Sequence, residues 1–228
     1  MTIALVTGAN KGIGKEIARQ LVEAGMTVHI GSRDAARGRS AAAEIGCSSV
    51  VLDVTSADSI AAAAAELSTL DVLVNNAGIM VDGFPPTEAD VASFRRTYET
   101  NVFGVLAVTN AFLPALRRSS HPRIVNVSSG TGSLTWSGSR YVGDGSGAAY
   151  RSSKTALNAL TLYYAQALPD FRVNALAPGL RRTDLNSRAA ASDGDPAEAA
   201  AGAVRLALLP DDGPTGTFVS WDGTPAPW

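Results

Sequence analysis

Tyr150 and Lys154 stand four residues apart in the run Tyr150-Arg151-Ser152-Ser153-Lys154. On a helix that spacing puts both side chains on one face. A free phenol has a pKa of about 10, so an acid useful near neutrality needs it lowered by roughly three units, about 4 kcal/mol. A neighbouring ammonium in a partly desolvated site supplies much of that. Ahead of the pair, Ser128 and Ser129 close an apolar run. Strand alternation turns them to opposite faces, so only one can join the tyrosine.

A second kind of chemistry is written at the start of the chain. Thr7-Gly8-Ala9-Asn10-Lys11-Gly12-Ile13-Gly14 follows an apolar run and opens a helical pattern. Glycines reach backbone angles closed to other residues and let a pyrophosphate approach closely. The helix start behind them offers free N–H groups and a positive dipole end. Strand, glycine turn and helix together are the setting of a dinucleotide site. The next apolar run, Thr27-Val28-His29-Ile30-Gly31-Ser32-Arg33, ends without the carboxylate that commonly holds the ribose 2′-hydroxyl of NAD. Ser32 occupies that place and Arg33 follows. A guanidinium binds a 2′-phosphate with two hydrogen bonds, and Lys11 adds a second positive charge. These residues favour NADPH over NADH. Asp34 remains the alternative carboxylate if the strand ends one residue later.

Such side chains need a scaffold, and the hydrophobic pattern describes one. Short apolar runs at 3–6, 27–30, 50–52, 72–75, 124–127, 172–177 and 217–219 read as strands buried on both faces. Helical patterns lie between them near 13–24, 34–44, 56–67, 88–117, 148–168 and 196–209, the last opened by Asp195 before Pro196. The alternation predicts an α/β fold, a Rossmann-type doubly wound parallel sheet with helices on both faces. The 228 residues suit one domain with its site at the C-terminal ends of the strands. The segment 130–147, rich in Gly and Ser, reads as a long loop.

Composition narrows the function classes. A net charge of −2 without a basic block gives no reason to expect nucleic acid. One cysteine, Cys47, allows no internal disulfide and suits a reducing compartment. With two histidines besides, a metal site is not expected. The N-terminal run carries no basic segment before an apolar one, and no apolar stretch has membrane-spanning length. A cytoplasmic location with no membrane partner is the expectation.

Taken in order, several short motifs resemble the short-chain dehydrogenase/reductase superfamily, in its compact single-domain branch. They are the glycine turn, Asn75-Asn76-Ala77-Gly78, Asn101 in Glu99-Thr100-Asn101-Val102, Ser128-Ser129, the Tyr150–Lys154 run and Pro178-Gly179. The match spans nearly the whole chain. Lys11 in the turn and the long insert before Tyr150 look most like the carbonyl-reductase-like members. The resemblance implies that Tyr150 gives a proton to a carbonyl oxygen and that Lys154 lowers its pKa and holds the nicotinamide ribose. It implies that Ser129, rather than Ser128, hydrogen-bonds the substrate oxygen, and that Asn101 anchors a water relaying protons by way of Lys154. Gly8, Asn10, Lys11, Gly12, Ile13 and Gly14 would hold the phosphates, and Ser32 and Arg33 the 2′-phosphoribose. Asp53 and Val54 would hold adenine. Asn76, Ala77 and Gly78 would run past the ribose. Pro178, Gly179 and Thr183 would meet the nicotinamide or the phosphates.

Twenty residues separate Ser129 from Tyr150, more than in most members of that family. Leu134, Trp136 and Tyr141 in this insert either wall the substrate pocket or patch the surface. Arg181 and Arg182 are expected at the pocket's edge, as solvated charges rather than as a trap for an acidic substrate. Trp221 and Trp228 read as packing residues. The implied activity is NADPH-dependent reduction of a ketone or aldehyde. Alcohol oxidation at the same site and a non-catalytic NADP sensor are the alternatives. Relatives often pair through helices 88–117 and 148–168, so a homodimer or homotetramer is expected here, unless the insert covers one of those faces.

Overall fold

The computed structural model describes residues 2–228. Seven parallel strands form one sheet in the order β3-β2-β1-β4-β5-β6-β7. They are β1 (Ile3–Thr7), β2 (Thr27–Ser32), β3 (Ser48–Val51), β4 (Val72–Asn75), β5 (Arg123–Val127), β6 (Arg172–Ala177) and β7 (Phe218–Ser220). Every neighbouring pair is parallel, so every connection is a crossover. The order turns back between β1 and β4, and there the exits of adjacent strands diverge to leave a crevice.

The strands are apolar on both faces because both are covered. On one side Ala4 and Val6 of β1, Val74 of β4 and Val125 of β5 pack with Ile17 and Leu21 of α1 (Gly12–Glu23) and Ala203 and Leu206 of α9 (Pro196–Ala207). On the other, Leu5, Leu73 and Ile124 meet Ile60 of α3 (Ala57–Glu66), Phe112 and Leu116 of α5 (Gly104–Leu116) and Ala165 of α7 (Ala148–Ala167). Helix α2 (Ala35–Ile45) lies against β2 and β3. Rossmann-type topology, one sheet and helices on both faces agree with the expectation from sequence.

Two predicted segments differ in detail. The helix expected over 88–117 is α4 (Val91–Tyr98) and α5, joined by a π-helical turn at Glu99–Phe103. The insert 130–147 is not a bare loop. It opens with a 3₁₀ turn at Gly130–Gly132 and a short helix α6 (Leu134–Ser137), capped by Ser133. Trp136 meets Tyr141 edge to face, and Phe218 of β7 stacks on Trp228 with ring centroids 5.4 Å apart. The Trp228 carbonyl accepts hydrogen bonds from the Ser133 hydroxyl and the Thr135 backbone, each 3.3 Å. One more helix, α8 (Ser187–Ala190), follows β6.

Candidate active site

A cavity of about 1010 Å³ opens at the C-terminal ends of β1, β4, β5 and β6. Its floor at one end is the glycine turn. Gly8 and Gly12 have φ of +63° and +57°, the left-handed region where a side chain is strained. Space is equally short. A β-carbon on Gly8 would stand 2.9 Å from Ala77 Cα, and one on Gly14 would run into the Asn76 amide. The turn is tied to the exit of β4 by Thr7, whose hydroxyl accepts from the backbone N–H of Asn76 and of Ala77, both 3.0 Å. Asn76 Nδ2 donates to the Thr7 and Gly8 carbonyls in return. Thr7 was not singled out from sequence. A polar residue ending a buried strand next to a glycine turn was the available signal.

Asn10, Lys11, Gly12, Ile13 and Gly14 line the cavity with Arg33, Asp53 and Val54. The Asp53 carboxylate accepts from Thr55 Oγ1 (2.7 Å) and Thr55 N (2.9 Å). Those bonds, with a smaller part from the charge of Arg33, hold it below the usual carboxylate range. Lys11 pairs with Asp184, which also lines the cavity, and the methyl of Thr183 touches the space beside Gly12. The segment after β6 therefore folds over the glycine turn, with Pro178 and Gly179 in the same wall. This cradle fits a dinucleotide: close backbone approach at Gly8 and Gly14, a helix start behind, and cations at Lys11 and Arg33.

Ser32 departs from expectation. It is 2% exposed, its hydroxyl donates to the Asp34 carbonyl (2.8 Å), and Gly38 of α2 closes over its β-carbon. It does not reach the cavity, whereas Arg33 does. Asp34 is not a substitute carboxylate. It caps α2, accepting from Ala36 N and Arg37 N at 3.0 Å.

At the other end, Ser129, Tyr150 and Lys154 face the same space. Ser129 ends the run out of β5, and its hydroxyl pairs with Thr131 Oγ1 at 2.9 Å. Ser128 points the other way, buried, donating to Asn158 Oδ1 at 2.6 Å. The second glycine of the 3₁₀ turn makes room for α7. A β-carbon on Gly132 would lie 2.7 Å from the Lys154 carbonyl carbon, and Thr155 Oγ1 donates to the Gly132 carbonyl (2.9 Å).

Lys154 is 4% exposed and donates to the Val127 carbonyl at 2.9 Å. Its ammonium lies 5.7 Å from the centre of the Tyr150 ring. Burial pushes Lys154 down to about 8 and Tyr150 up to about 12, with the Ser129 hydrogen bond pulling the phenol back. Desolvation is the larger influence on the phenol, and Ser129 is the group that opposes it.

Asn101 is fully buried in the π-helical turn and does not line the cavity. Its amide closes a two-way pair with the Ile79 backbone, 2.9 Å each way, and donates to Ser153 Oγ (3.0 Å), which donates to the Tyr150 carbonyl (2.7 Å). Both amide hydrogens are spent on the protein, so this side chain acts as a brace between the strand-four exit and α7. Gly78 is where it approaches the lysine: a β-carbon there would stand 3.4 Å from Asn101 Oδ1 and 3.5 Å from Lys154 Nζ.

Arg181 and Arg182 are not solvated rim charges of one kind. Arg181 is buried, paired with Glu198 (3.0 Å) and stacked over Trp221 (4.3 Å), while Arg182 is exposed outside the cavity. Among the described residues no cluster of His, Cys, Asp and Glu is arranged to hold a metal ion, and no helix is long and apolar enough to cross a membrane.

Known proteins resemble this chain in sequence and fold. A family model described as short chain dehydrogenase matches residues 2–194. Salutaridine reductase of Papaver bracteatum is 34% identical across 96% of this chain and 94% of its own. (-)-Isopiperitenone reductase of Mentha piperita is 35% identical, covering 96% of both. Among solved structures, NADPH-bound carbonyl reductase from chicken fatty liver superposes with a TM-score of 0.86 at 27% identity over the whole of both chains. Salutaridine reductase from Papaver somniferum does so with 0.83 at 29% identity, over 96% of this chain and 99% of that one. A glycine turn at the crevice of a parallel sheet, facing a Ser–Tyr–Lys group across one cavity, accompanies these matches, and the chain belongs to the short-chain dehydrogenase family of oxidoreductases.

Proposed function

We propose that the protein reduces the carbonyl group of a small ketone or aldehyde at the expense of NADPH. The observation that carries this reading is the convergence of Ser129, Tyr150 and Lys154 on the same cavity as the glycine turn. The reduced dinucleotide, when bound, supplies a hydride to the carbonyl carbon. The chain does the rest. Ser129 donates a hydrogen bond to the carbonyl oxygen, and Tyr150 delivers its phenolic proton to that oxygen as the C–O double bond becomes a single bond. Lys154, held by the Val127 carbonyl, keeps a positive charge beside the tyrosine and meets the nicotinamide ribose. Gly8 to Gly14, Asn76 to Gly78, Pro178, Gly179 and Thr183 shape the cofactor bed.

Desolvation holds the half-buried Tyr150 phenol up at about 12, so it keeps its proton, which suits a donor in the reducing direction. Arg33 and Lys11 support a 2′-phosphate on the cofactor, Lys11 exchanging Asp184 for it. NADPH-bound carbonyl reductase has the same fold, and the reductases of Papaver and Mentha are similar along their length. A cytoplasmic setting rests on the unpaired Cys47, and self-association on the apolar outer faces of α4, α5 and α7.

The test is Tyr150→Phe, which keeps the ring and removes the hydroxyl. Single-turnover hydride transfer, started with NADPH already bound and followed by its absorbance, should slow by about a hundredfold or more while NADPH affinity holds. Transfer at the parent rate would remove the tyrosine from the acid's role.

A further inference from the structure

The substrate end of the cavity carries more positive charge than a neutral ketone calls for. Arg140 belongs to the insert, Arg151 follows Tyr150 on α7, and Arg188 stands on α8; all three line the cavity. Among the described residues none of the three has a carboxylate within 4.0 Å. Two other cations there have partners. Lys11 faces Asp184, and Arg181 turns back to Glu198 and Trp221. Arg96 and Glu99 also line the cavity, on α4 and the π-helical turn. Lys11 and Arg33 lie at the glycine-turn end, where a dinucleotide's phosphates would use them. The acid that acts on Arg151 is Asp144, exposed, its carboxylate held mainly by Ser146.

Two of the three arginines are held by neighbouring groups. The guanidinium of Arg140 lies over the rings of Trp136 and Tyr141, 5.4 and 5.7 Å from their centres, which fixes its plane and leaves its N–H edge free. Arg151 spends one N–H of Nη2 on the Tyr141 carbonyl (3.1 Å) and keeps the others. Tyr141 itself reaches the site: its hydroxyl is 2.9 Å from where a β-carbon on Gly130, the residue after Ser129, would stand. Arg188 approaches from the segment after β6. Free guanidinium forks of this kind match a carboxylate with paired hydrogen bonds.

We propose that the natural substrate is a carbonyl compound that also bears a carboxylate, which Arg140, Arg151 and Arg188 hold beyond the reacting carbon. Met80, Val81, Val142 and Leu185 in the same lining give its body an apolar bed. The inference rests on the carbonyl-reductase reading and narrows it.

The experiment compares pairs of aliphatic and aromatic ketones and aldehydes, each as the free carboxylate and as its methyl ester, at saturating NADPH. The expected result is kcat/KM at least tenfold higher for the acid in the preferred pair. That ratio should shrink as KCl is raised and collapse toward one in an Arg140→Gln/Arg188→Gln double variant, whose positions are exposed. Esters reduced as well as acids, or a ratio indifferent to salt and to the double variant, overturn the carboxylate site and leave the reductase reading standing. No reduction of any pair, with NADPH still bound, overturns both.

Discussion

Burial acts in opposite directions on the two titratable groups beside Ser129. Tyr150, at about 12, stays protonated across the working range, while Lys154, at about 8, is charged below that value and neutral above it. If the ammonium supports both proton delivery and the nicotinamide ribose, reduction should run level below pH 8 and fall as pH rises through it. A pH profile of kcat/KM measures this, and a rate that climbs through pH 8 would mean that the neutral amine is the working form. Arg33 sets the second expectation at this scale. Arg33→Ala should raise KM for NADPH about tenfold or more and leave KM for NADH nearly level, as expected from loss of a charge-assisted pair. Steady-state kinetics with both cofactors checks it. The pairing of Tyr150 with Lys154 was legible from the helical period; strand period set Ser128 and Ser129 on opposite faces, and the family resemblance chose Ser129. The inward turn of Ser32 was not, since it depends on Gly38 arriving from a helix that sequence cannot dock. The saturation of Asn101 was hidden for a similar reason: its partners at Ile79 and Ser153 lie 22 and 52 residues away.

Helix α7 carries Tyr150 in its first turn, yet its own N-cap is Gly147, with no side chain to cap it. Asp82 supplies the missing acceptor from 67 residues upstream: its Oδ2 takes the Ala149 N–H at 2.8 Å, and the carboxylate is 8% exposed. The same segment accepts the Gly147 N–H at the Phe84 carbonyl, so the wall bearing Met80 and Val81 is pinned to the start of the catalytic helix. Asp82→Ala should cost about 1 kcal/mol, the usual range for a lost cap, and Asp82→Asn should recover much of it. Urea denaturation of both variants reads the difference; equal stability of the alanine variant and the parent would deny the cap its role. Helix and strand positions followed from apolar periodicity, but this contact did not, because a cap borrowed across the fold leaves no local pattern. The π-helical turn between α4 and α5 was also invisible. Its sequence continues the helical period, and only the Ile79 and Ser153 bonds of Asn101 mark the extra residue.

At the scale of the molecule, Val91 of α4 (64%), Phe103 of the π-helical turn (52%) and Tyr163 of α7 (61%) are exposed. The insert is pinned at the β7 edge to Trp228, through Ser133 and Thr135. Self-association through the helical faces is therefore expected, and light scattering across a wide concentration range should return a multiple of 23.4 kDa; a constant single mass would refute it. Sheet order was legible only as a class, because alternation announces parallel crossovers without saying which strands adjoin. The centre of that sheet holds one more consequence. Asn75 on β4 donates to Thr109 (3.1 Å) and Asn126 (2.9 Å), and Asn126 on β5 donates to Thr161 (2.9 Å), a polar thread through an otherwise oily interior. If β4 slid past β5 by one position, Asn75 would swing to the opposite side and each member of the thread would lose a partner in the dark of the core. The four side chains work as the notches of a key: the hydrophobic residues around them tolerate many alignments, and these admit one.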